Sequence, residues 1–113
     1  MKIARIKTRF WVEALIRRAE LGLAAAYVIR HGDEDAGIVL VKVALLDGTA
    51  QLYVPARDEN GAPVWQCARE APVEEAEIDA YCSRRAERDP DLWMIEIEDR
   101  QGRHFLTEPV ENS

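Results

Sequence analysis

The sequence predicts an α+β fold: a mostly antiparallel meander of about five strands, with two helices packed on one face of the sheet. Three observations carry this expectation. Apolar residues recur at spacings of three and four in only two stretches, around 9–21 and 73–88. Elsewhere the period drops towards two and β-branched residues dominate. Short turns rich in glycine and aspartate join successive strand-like runs, as antiparallel neighbours require. A chain of 113 residues has room for one hydrophobic core, so residues 1–113 are expected to form a single domain.

Residues Lys2 to Lys7 alternate charged and apolar side chains and read as a short strand or an extended arm. Thr8 is placed as the N-cap of the first helix. Trp11, Val12, Leu15, Ile16 and Ala19 form its apolar stripe, and Gly22 stands where a helix ends on a left-handed residue. Strands are expected over Ala24–Arg30, Ile38–Leu46, Thr49–Val54 and Val64–Arg69. The link His31-Gly-Asp-Glu-Asp-Ala-Gly37 reads as a solvated hairpin tip with positive-φ glycines, and Asp47-Gly48 as a tight turn.

After Pro72 a second helix runs over about Val73–Arg88. It carries acids at its front and arginines at its back, in the order that the helix dipole favours. Asp89-Pro90-Asp91 stops it. Leu92–Glu98 is a clear alternating strand, Arg103–Leu106 a short return, and 107–113 a frayed tail.

The net charge of −6 argues against a general nucleic-acid binder, which needs a basic surface. The charge is unevenly placed. Lys2, Arg5, Lys7, Arg9, Arg17 and Arg18 face Glu13 alone in the first eighteen residues, and the remaining ninety-five hold nine basic and twenty acidic side chains. Such a gradient steers a partner or a second copy of the chain. Cys67 and Cys82 lie fifteen apart without a CxxC pair, and His31 and His104 are remote from them, so no zinc site is expected. No export signal and no apolar run approaching ~20 residues occurs. The expectation is a cytoplasmic protein without a membrane partner or a cofactor.

Three stretches, RFWVEALIRR (9–18), GDEDAGIVLVKV (32–43) and DPDLWMIEIEDR (89–100), are similar to a family of short alphaproteobacterial proteins classed only as a domain of unknown function. The resemblance implies a stand-alone bacterial protein of about this length. It supplies no activity and no catalytic residues to transfer.

Two surfaces are candidates for function. One is basic and carries Lys2, Arg5, Lys7, Arg17 and Arg18, with Trp65 as an adjacent half-exposed aromatic. The other is acidic: Asp91, Glu96, Glu98 and Asp99, with His104 as a further ligand type. Two carboxylates on one strand face can hold Mg²⁺, but the polar face of a one-sided strand explains the same alternation. A nuclease with a Glu-x-Lys element would need lysine where Glu98 stands. There is no nucleophile elbow, Walker loop or dinucleotide fingerprint. The leading expectation is therefore a non-enzymatic protein-interaction module that forms a homodimer. A small metal-dependent hydrolase built on the 91–99 strand and a single-stranded nucleic-acid binder are the alternatives.

Overall fold

The computed structural model describes residues 7–112. The arm that carries Lys2 and Arg5 lies outside them. The elements run α1 (Thr8–Leu21), β1 (Ala25–Arg30), β2 (Val39–Ala44), β3 (Thr49–Arg57), β4 (Pro63–Cys67), β5 (Val73–Glu74), α2 (Glu75–Arg88), β6 (Trp93–Glu98) and β7 (Val110–Asn112).

The fold is α+β, but the sheet is mixed rather than an antiparallel meander. Its strand order is β1-β6-β2-β3-β4-β7, and β5 pairs with β3. β2 pairs with β6 in parallel and β4 with β7 in parallel, whereas the remaining pairs are antiparallel. The expected hairpin between the first two strands does not form, because β6 returns from α2 and inserts between them. The predicted run β2-β3-β4 is a true meander. The expected return strand at 103–106 is absent. Arg103 instead donates to the Asp99 carboxylate, which closes a turn.

The helices lie on opposite faces, which corrects the one-sided packing expected from the sequence. Strand side chains alternate, and β2 divides accordingly. Val39, Val41 and Val43 join Val12, Leu15 and Ala19 of α1, together with Trp93, Ile95 and Ile97 of β6. Leu40 joins Ala50, Leu52 and Leu92 beneath Ile78 and Cys82 of α2. Every residue of β2 is buried, as a central strand covered on both faces requires.

Thr8 is the first residue of α1, not its cap. Its hydroxyl donates to the Gly37 carbonyl, and Lys7 holds the cap position without a side-chain bond. The 31–37 link caps the helix from outside: Thr8 and Arg9 donate their backbone N–H groups to the carbonyls of Asp35 and Glu34. The link is therefore not a free hairpin tip. Its glycines have no positive φ; they are needed for space. A Cβ on either Gly32 or Gly37 would collide with the Asp91 carbonyl and the Trp93 ring. Likewise Gly22 takes φ −85, and the left-handed residue after α1 is Leu23. The Phe105 ring explains Gly22, because it fills the place of a Cβ.

Candidate functional site

The acidic set does not converge. β6 separates Asp91, before its first residue, from Asp99, after its last. Asp91 is exposed and contributes its backbone carbonyl, which accepts from Asp33 N–H. Asp99 is buried, and the guanidinium and backbone N–H of Arg103 hold its carboxyl below the usual range. His104 accepts from Leu106 N–H at Nδ1 and meets the Tyr53 ring edge-on, and burial pulls its pKa down. Tyr27 donates to Glu98, which raises the phenol's pKa.

Glu96 belongs to a different arrangement. It sits beside Lys42 in the parallel β2–β6 register, and the Lys42 ammonium lies 3.0 Å from its carboxylate. The same ammonium is 2.8 Å from Glu75 and 2.9 Å from Asp79 of α2. The Lys42 side chain is only 8% exposed. Burial alone would lower its pKa, but the three carboxylates outweigh that and raise it. A cation is thus already built into this acidic cluster. Among the described residues no group of three His, Cys, Asp or Glu side chains is placed to hold a metal ion.

The basic surface is also divided. Lys7 makes an exposed pair with Asp35. Arg17 stays exposed on α1. Arg18 turns inward and donates from Nε to the Phe105 carbonyl. Trp65, expected to be half-exposed, is 7% exposed.

What surrounds Trp65 was invisible in the sequence. Its ring stacks on Trp11 with centroids 5.5 Å apart and planes at 27°. Both indole N–H groups donate to Glu108, Trp11 at 3.1 Å and Trp65 at 2.9 Å, one to each oxygen. Burial would raise the Glu108 pKa, yet the two indole donors and nearby Arg18 hold it below its ordinary value. Glu108 falls in the tail expected to fray. That tail is instead fixed by this carboxylate and by β7 along β4. Two clefts flank Trp65. One, of about 380 Å³, opens between Trp11, Pro55 and the 31–37 link. The other lies towards Arg57 and Glu108.

Of the chemical groups singled out earlier, Cys82 is 1% exposed on the inner face of α2, and burial pushes its thiol up to about 11. The Cys67 thiol has two acceptors within hydrogen-bond reach of its single proton, the Gln51 side-chain oxygen and the Arg69 carbonyl. Burial raises Tyr53, beside it, to about 12. His31 packs against Trp93 with ring centroids 4.1 Å apart and planes tilted by 41°. Among the described residues no helix is long and apolar enough to cross a membrane.

Comparison with known proteins places the whole fold. A family described as "Protein of unknown function (DUF1491)" matches residues 6–107. The crystal structure of a DUF1491 family protein from Caulobacter crescentus is 53% identical, covers 95% of this chain and 100% of its own, and superposes with a TM-score of 0.87. An NMR structure of a DUF1491 family protein from the same organism is 52% identical over 96% of this chain and 99% of its own, with a TM-score of 0.83. The solution structure of a protein from A. tumefaciens is 33% identical over 96% of this chain and 98% of its own, with a TM-score of 0.78. No curated protein matches.

Proposed function

Since this chain belongs to the DUF1491 family, which carries no assigned activity, we propose a role from its own surface: a non-enzymatic interaction module that assembles through the open edge of β1. The occupant of that edge is a second copy of the chain.

The observation that carries this reading is the exposure of β1. Among the described residues the strand ends the sheet, and its consecutive residues Tyr27, Val28 and Ile29 are 47%, 41% and 54% exposed. Edge strands are usually protected by charges, proline or bulges, and exposed apolar surface marks an interface. β1 has neither proline nor any charged residue except Arg30 at its end. Its protections, Arg30 and the bulge between Val28 and Arg30, both lie at one end of the strand and leave Ala25–Val28 in regular register. The charge pattern favours a second copy. Antiparallel pairing centred near Val28 brings the apolar residues of both copies together and keeps the two Arg30 side chains apart.

Light scattering coupled to size exclusion tests this directly. The wild-type chain should run as a dimer at tens of micromolar. A Val28→Asp, Ile29→Lys double variant should run as a monomer with an unchanged circular dichroism spectrum. A monomeric wild type at that concentration refutes the proposal.

A further inference from the structure

We infer that the cleft between α1, the 31–37 link and the β3–β4 hairpin binds an organic cation of the quaternary or methylated ammonium class. This inference is independent of the β1 edge. The cleft, about 380 Å³, has Trp11 and Trp65 as its aromatic wall, Pro55 and Val39 as its apolar floor, and Thr8 and Asp35 at its rim.

The hydrogen bonding decides what the tryptophans offer. Both indole N–H groups are already donated to Glu108, so neither ring brings a donor to a ligand; one face of each is stacked on the other ring, and the half-buried Trp11 is the more exposed of the two. A π face attracts cations, and a carboxylate held ionised at the indole N–H groups reinforces the negative field behind it.

The rim agrees in sign. Among the described residues that line this cleft, Asp35 is the sole ionisable side chain. Its partner Lys7 stands 3.6 Å away with both side chains mostly exposed, a pairing weak enough for a competing ammonium to exchange.

An anion finds no comparable welcome. The N-terminus of α1 borders the cleft, but the backbone N–H groups of Thr8 and Arg9 are spent on the Asp35 and Glu34 carbonyls. The Thr8 hydroxyl is spent on Gly37. A phosphate or carboxylate would therefore meet a carboxylate and no open donor among these groups.

The test is a titration with choline against its neutral isostere, 3,3-dimethylbutan-1-ol, followed by the indole N–H resonances of the three tryptophans. Choline should shift the Trp11 and Trp65 signals saturably and leave Trp93 unmoved. The alcohol should bind about tenfold more weakly, as expected when the charge contributes through π faces and a carboxylate. Asp35→Asn, in an exposed link, should weaken choline binding several-fold and leave the fold intact. Equal affinity for the alcohol, an unchanged affinity in the Asp35 variant, or no saturable shift up to about 100 mM would each overturn the inference.

Discussion

Replacing Lys42 with methionine keeps the unbranched shape of the side chain as far as its ε position and removes the ammonium. Glu75, Asp79 and Glu96 lie 2.8, 2.9 and 3.0 Å from the ammonium, so no two of these oxygens are more than about 6 Å apart. At an effective dielectric of about 20, two charges at that distance repel by roughly 3 kcal/mol. Asp79 is 57% exposed and can swing into water, whereas Glu96 is 17% exposed on a strand and cannot. The net loss at neutral pH should therefore be about 3 kcal/mol, within the range for breaking a buried ion pair by removing one partner.

The pH dependence has a definite sign. Lys42 has a raised folded pKa, so its contribution is fully present below the unfolded lysine value of ~10.4. It is lost as pH rises through the folded value. The methionine variant lacks this alkaline loss. Instead it should gain stability as pH falls and the crowded carboxylates take up protons. Urea melts of both proteins from pH 4 to pH 11, with Glu96→Gln added to complete a double-mutant cycle, measure this. A methionine variant within 1 kcal/mol of wild type at pH 7, with a parallel pH profile, would refute the argument.

Two further outcomes follow from other contacts. Glu108→Gln should lower stability at neutral pH by about 1–3 kcal/mol, because the amide nitrogen cannot accept from an indole. Glu108 has a depressed folded pKa, so its stabilisation is present above the ordinary glutamate value and lost as pH falls through the folded value. The variant's acid melting curve should be correspondingly flatter. Gly37→Ala should destabilise by more than about 2 kcal/mol, since the new methyl group meets backbone at Asp91 as well as the Trp93 ring. A thermal shift of under two degrees would contradict that packing.

Much of the element list was legible because it is local. The stripe Val12, Leu15, Ala19 and the alternation through Trp93, Ile95 and Ile97 report their own periodicity. Pairing partners are not local, and nothing in Leu92–Glu98 says which strands it will join. The run Val39–Ala44, apolar but for Lys42 and buried throughout, marks a strand covered on both faces, which requires a helix on each side. Lys42, alone within that run, was the matching sign of a buried charge in need of partners. Glu108 gave no such sign. A glutamate before a proline in a polar tail becomes informative only when two tryptophans, 97 and 43 residues away, point at it.

The slot that β6 occupies also constrains the order of assembly. β1 and β2 are complete in the chain well before β6 is, and two adjacent apolar strands tend to pair with each other. That local hairpin would have to be undone before the native sheet could close, so it is a trap rather than an intermediate. The 31–37 link limits the risk by tying itself to the start of α1 through Thr8 and Arg9. The strands can then wait on either side of a gap of about 10 Å, two strand spacings wide. The chain's last-made third, α2 and β6, decides when the sheet closes, so this fold should form slowly for its size and expose β1 and β2 longest to other copies of itself.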